Sequence, residues 1–130
     1  MIVKIERMED LFDEEHIEEM LEDCELKCCH FNAANVCRLF RDWDCIDYVE
    51  GYILGDIGHA INMYRDYNGI CHYFDPTQEW KIRKGLQRYS GFIDEFDVVK
   101  TFSGDEIIEI FNNDESGMTH LVSVDIERQN

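Results

Sequence analysis

A thiol becomes a useful nucleophile when a helix N-terminus stabilises its thiolate, an imidazole exchanges its proton and a third group orients that imidazole. Three stretches offer these residue types in order: KCCHFNAANV (27–36), GHAINMY (58–64) and YFDPTQEW (73–80). The first reads as the opening of a helix. Cys29, Ala33, Val36 and Phe40 recur at spacings of four, three and four, so Cys29 stands at the head of the stripe that faces the sheet. Cys28 instead shares its line with Asn32, Asn35 and Leu39. Cys29 is therefore the candidate nucleophile, with the positive end of the helix dipole and the free first-turn amides to lower its pKa. His59 is the candidate general base and acid, and Asp75 the carboxylate that orients it.

His59 and Asp75 meet only if the hairpin between them has the right parity. Its arms are HAINMYRD and ICHYFD, joined through Asn68-Gly69, a pair that supplies the positive φ angles of hairpin loops. A two-residue loop would set Tyr67 opposite Ile70 and turn Asp75 to the face away from His59. A three-residue loop with Gly69 as a left-handed bulge residue sets Asp66 opposite Ile70 and Asp75 opposite Ile61, diagonal to His59 on one face. The bulged hairpin is the expectation, with His72 facing away from His59.

Taken together, CHFNAANV, GHAINMY and YFDPTQEW resemble the transglutaminase-like branch of the papain-like cysteine peptidase superfamily. The likeness is to small phage and bacterial proteins that combine a CxxN motif, a YVEGY-type strand, a strand-borne His in an HAxN setting and an Asp in a YFDPT setting. It covers about residues 27–80. The resemblance implies a papain-like core with a Cys29-His59-Asp75 triad acting on an amide or isopeptide-type bond. Hydrolysis, deamidation and crosslinking all remain open, and so does the group that completes an oxyanion hole with the Cys29 amide. Asn32 completes the CxxN match, with no role that sequence defines.

The elements around these residues read as follows. After a short apolar start, IVKI, residues 8–23 place Leu11, Phe12, Ile17, Met20 and Leu21 on one face of an amphipathic helix. A second helix runs from about Cys29 to Arg41 and is broken by Asp42–Asp44. CIDYVEGYIL (45–54) reads as a strand, with Gly51 a bulge or close-approach point. The hairpin follows, and residues 78–91 read as irregular or briefly helical. Residues 96–102 are extended, and Ser103 with Glu106 forms a capping box opening a short helix that ends near Asn112 and Asn113. MTHLVSVDI (118–126) alternates as a last strand, with His120 on its apolar side. The fold class is α+β, a single domain over residues 1–130 in which N-terminal helices pack on one face of an antiparallel sheet.

With 29 acidic and 12 basic residues the formal charge is -17, which disfavours nucleic acid and anionic membrane surfaces as partners and favours a protein or peptide substrate or a basic protein. Met1–Met8 has no apolar run of signal-peptide length, so a cytoplasmic monomer with reduced thiols is expected, in a host cytoplasm if the chain is phage-encoded. Cys24, Cys37, Cys45 and Cys71 read as small core residues. Cys24, Cys28, Cys29, His30, Cys37, Cys71 and His72 match no paired CxxC spacing, so neither a metal nor another cofactor is expected. His30, His72 and His120 carry no partner motif, and His16 offsets charge in an acidic helix. The competing functional class is a non-catalytic acidic interaction protein on the same fold, phage-encoded and binding a basic host protein, with the triad residues idle.

Overall fold

The hairpin register sets the frame for everything else. In the computed structural model, which describes residues 1–113, β3 (Ile57–Arg65) and β4 (Cys71–Phe74) pair antiparallel, with Asn62 opposite Phe74 and Arg65 opposite Cys71. Continued in both directions, that register sets Asp66 opposite Ile70 and Asp75 opposite Ile61. The loop is the three-residue form. Asp66 N–H donates to Ile70 O and Gly69 N–H to Asp66 O, each at 2.9 Å, and Gly69 has φ +79°. Only Gly69, not Asn68, takes the left-handed conformation. Asp66 Oδ1 accepts from the amides of Asn68 and Ile70, which favours this loop over the two-residue alternative.

The sheet departs from the antiparallel expectation. The start of the chain is itself a strand, β1 (Ile2–Glu6), lying parallel to β4 through Ile5↔Tyr73 and antiparallel to β5 (Glu95–Phe102) through Val3↔Phe96. β2 (Ile46–Ile53) pairs with β3 along its whole length and with β5 on its other side. The order β1-β4-β3-β2-β5 therefore closes into a barrel of mixed direction, and closure leaves no free edge. A five-residue segment whose partners lie some seventy to ninety-five positions away gives little local signal, which is why IVKI did not read as a strand.

Alternation along β2 and β3 sorts their side chains to two sides. Ile5, Val49, Ile53, Ile61, Met63 and Phe96 form the barrel interior. Tyr48, Ala60, Phe74 and Phe102 face outward into the helices, where they join Ile17, Met20, Ala33, Val36, Cys37 and Ile107 in a second core. The helices on this face are α1 (Glu14–Leu21), α2 (Cys29–Leu39), α3 (Pro76–Arg83) and α4 (Gly104–Asn113). The arrangement is α+β.

Helix α1 is shorter than its apolar pattern suggests. Asp13 caps it by accepting from His16 N–H at 2.9 Å, and residues 8–10 form a separate 3-10 turn. Helix α2 stops at Leu39 because a 3-10 turn and a left-handed Asp44 follow. The Ser103/Glu106 capping box forms reciprocally, at 3.0 and 3.1 Å. The stretch expected to be irregular or briefly helical from residue 78 carries helix α3, led by Pro76 in its first turn, where a missing N–H costs nothing. Cys24 and Cys37 are buried as expected, but Cys45 is only partly buried and Cys71 is exposed at the end of the hairpin. Among the described residues no helix is long and apolar enough to cross a membrane. The strand expected over 118–126, His120 included, lies outside the described residues.

Candidate active site

Cys29 is the first residue of α2, His59 lies near the start of β3, and Asp75 immediately follows β4 as the N-cap of α3. The bulged hairpin brings the last two together: His59 Nε2 lies 2.7 Å from Asp75 Oδ2. The residue expected to close a strand thus also starts a helix, and this double role immobilises its carboxylate. Asp75 Oδ1 accepts from the amides of Thr77 (3.0 Å) and Gln78 (3.3 Å), while Oδ2 accepts from Gln78 Nε2 (3.0 Å) and from His59. Asp75 is completely buried. Burial pushes its pKa up, but the His59 charge and these hydrogen bonds outweigh burial and hold it below the ordinary value.

His59 shows the complementary shift. Burial favours its neutral form, yet the charges of Asp75 and Cys29 and the hydrogen bonds to both hold its pKa well above the usual imidazole value. Because Nε2 donates to Asp75, the other ring nitrogen, Nδ1, is left for the Cys29 sulfur. Burial raises the Cys29 pKa. Against it act the His59 charge and ring, the neighbouring His30 ring and the backbone N–H of Ala60, which together bring the thiol down to about 6. The β3–β4 ladder ends at Asn62↔Phe74, so the backbone of β3 at Ala60 lies beyond it and faces the thiol. Burial drives Cys24 and Cys37 the other way, to about 12, and also raises Cys28 and Cys45.

The first turn of α2 supplies the remaining polar groups. Asn32 N–H is the donor to Cys28 O at 2.8 Å, so the amides of Cys29, His30 and Phe31 precede the first intrahelical bond, and Cys28 provides no side-chain cap. The Cys29 amide is thus one donor for an oxyanion formed at an attacked carbonyl.

The structure brings together the three residues that the motifs nominate and surrounds them with supports, most of which the motifs do not announce. Asn32, 1% exposed, closes the loop before α2 by accepting from Glu25 N–H (2.9 Å) and donating to Glu25 O (3.0 Å). It also donates to Thr77 Oγ1 at 3.0 Å, tying the Cys29 helix to the Asp75 helix. The CxxN and DPT motifs are therefore one physical unit. Gln78 clamps Asp75 and bonds both backbone groups of Ile93. Its signal was present in sequence, because Asp75 and Gln78 have capping-box spacing. Gly51, opposite His59, carries the bulge between β2 and β5; a Cβ there would lie 2.0 Å from Asp97 O and 2.8 Å from Phe96. Its absence lets the Phe96 ring pack edge-on beside His59, with centroids 6.3 Å apart. His72 faces away from His59, as expected, but it is far from partnerless: Glu6 and Asp66 hold its two nitrogens at 2.7 and 2.8 Å.

Comparison with family models, curated proteins and solved structures gives no significant match to this chain.

Proposed function

We propose that this chain is a cysteine-dependent acyl-transfer enzyme, a hydrolase or acyltransferase of transglutaminase-like type acting on an amide or isopeptide-type bond. The observation that carries the reading is the fully buried Asp75 carboxylate 2.7 Å from the His59 ring, with the Cys29 thiol on the other side of that ring. Cys29 thiolate attacks the carbonyl carbon, and the carbonyl electron pair moves to oxygen, where the Cys29 amide receives it. The tetrahedral species collapses as the C–N bond breaks, and His59 delivers its proton to the departing amine. The remaining thioester is attacked by water or by a second amine, His59 removing the proton, and thiolate and imidazolium are regenerated. Asp75 stays ionised throughout and keeps the ring oriented. A protein or peptide substrate fits this chemistry, and free cysteines fit a reducing, cytoplasmic setting.

p-Nitrophenyl acetate tests the acylation step directly. A stoichiometric burst of p-nitrophenolate is expected, with the acetyl group on Cys29 by mass spectrometry and release accelerated by hydroxylamine. Cys29→Ala should abolish the burst, and His59→Ala should slow it by roughly 100-fold or more. Acetylation spread over exposed Cys71 at the same rate as Cys29 would overturn the reading.

A second reading, an acidic interaction protein, draws on the groove of about 630 Å³ between α1 and α3, where Glu15, Glu18, Glu19 and Glu22 outnumber Arg83 and Lys84 around Leu21 and Trp80. Its biological effect would survive Cys29→Ser and be lost on charge reversal at Glu18 and Glu19.

A further inference from the structure

His30 is a buried imidazole that the triad does not use. It is 3% exposed, and neither ring nitrogen has an aligned hydrogen-bond partner. Buried polar groups are rarely left in that state, so the position needs an account.

Packing of α2 on the barrel locates the ring. Asn62 Nδ2 of β3 donates to Ala33 O at 2.9 Å and approaches Cys37 Sγ at 3.5 Å. His30 lies one helical turn before Ala33 and Ala34, on the Cys37 flank, and Ala60 lies two residues before Asn62 on the same face of β3. Ala60 is fully buried and offers only a methyl group, and its cross-strand partner is Glu50. On β2, Tyr48 Oη donates to the fully buried carboxylate of Glu50. Asn32, which meets Thr77 of α3, projects from nearly the opposite flank of the helix. Cys29 is thus met by His59 of β3, held by Asp75, while His30, the next residue of α2, stands beside it on the helix and Tyr48 of β2 is close enough to feel the thiolate charge.

We propose that His30 is a second, positioning imidazole for the nucleophile, whose ring N–H holds the Cys29 sulfur whenever that sulfur is a thiolate. The hydrogen bond forms as charge appears on sulfur and is lost when the sulfur is acylated. His30 moves no proton. It lowers the thiol pKa, in agreement with its contribution at Cys29, and assists departure of the thiolate from the thioester. The inference rests on Cys29 being the nucleophile of the proposed reaction.

The test is the pH dependence of Cys29 alkylation by iodoacetamide in the full chain, read by mass spectrometry. His30→Phe keeps a ring and removes both nitrogens, and His30→Gln returns an N–H donor. The groups around the thiol are His59 from β3, Asp75 from α3, Tyr48 and Glu50 from β2 and Cys28 beside it; all are common to both variants. His30→Phe should move the inflection upward by about one pH unit, slowing alkylation about 10-fold below it, and His30→Gln should recover part of the shift. An unmoved inflection in a folded His30→Phe protein, or no recovery in His30→Gln, overturns the proposal. Should His30→Phe fail to fold, His30→Met against His30→Gln decides by the same criterion. The parallel variant His59→Ala separates the two readings. If it moves the inflection and His30→Phe does not, the His30 role alone fails; if neither moves it, the nucleophile assignment fails as well.

Discussion

Cys29 and His59 shift in opposite directions, and folding stability should record it. The Cys29 pKa falls to about 6 in the folded chain, below its unfolded value near 8.5, so the folded state binds fewer protons in that window and stability rises with pH there. His59 is raised above its unfolded value near 6.5, so its contribution is complete below that pH and declines as pH rises toward the folded pKa. Between about 6.5 and 8.5 the two slopes oppose each other. Cys29→Ala removes one of them and leaves the Asp75 support of His59 intact. We predict that Cys29→Ala loses stability relative to the parent chain as pH rises above about 6.5, the gap widening by at most about 1.4 kcal/mol per pH unit. His72, held up chiefly by its hydrogen bond to Asp66, declines equally in both proteins, so the difference between them is diagnostic. Urea unfolding at several pH values measures it, and parallel curves would mean that no thiolate-imidazolium pair forms. These residues were readable from sequence because each sits in a local motif. The shifts were not readable, since their main charge partners are 16 and 30 positions apart.

Helix α2 is aimed by one side chain. Asn32 holds both backbone groups of Glu25 and the Thr77 hydroxyl, so it fixes the entry loop, the helix and α3 together. Lys27 in that loop adopts φ +62°, a conformation an L-residue accepts only when its surroundings hold it. Asn32→Ala leaves these partners without the bonds of a buried amide. It should cost about 2–4 kcal/mol in chemical denaturation and slow Cys29 alkylation, whereas Thr77→Val, which removes one bond, should cost about 1 kcal/mol. A loss below about 0.5 kcal/mol for Asn32→Ala would show that the loop is held by other means. The bulged hairpin was legible in advance because parity and a left-handed Gly69 leave few ways to bring Asp75 beside His59. Helix α3 was not. Its apolar pattern is weak, and it stands on the Asp75 cap, on Pro76 and on Glu79, which accepts from Arg7 Nη2 at 2.9 Å and from Met8 N–H at 2.7 Å.

A chain with a formal charge of -17 works against its own compactness. Acidic side chains crowd α1 and its flanks, where Asp13, Glu14, Glu15, Glu18, Glu19, Glu22 and Asp23 fall within eleven positions, and few cations stand beside them. Salt screens such exposed repulsion and leaves the buried His59–Asp75 pair largely untouched. The melting temperature should therefore rise between 10 mM and 0.5 M sodium chloride while the Cys29 alkylation profile keeps its inflection, as thermal melts and mass spectrometry can check. A melting temperature that falls with salt would mean that surface ion pairs, such as Arg83 with Glu14, outweigh the repulsion. By itself the sequence nominated Cys29, His59 and Asp75 as a candidate site and determined the hairpin parity, the α+β class and the acidic surface, because these follow from motifs, periodicity, turn chemistry and composition within short windows. Tertiary structure alone decided the barrel closure through β1, the clamp of Asn32 and Gln78 on the site, and the burial of Glu50 and His30. Each depends on contacts between distant segments, and no local pattern encodes which buried polar groups will meet.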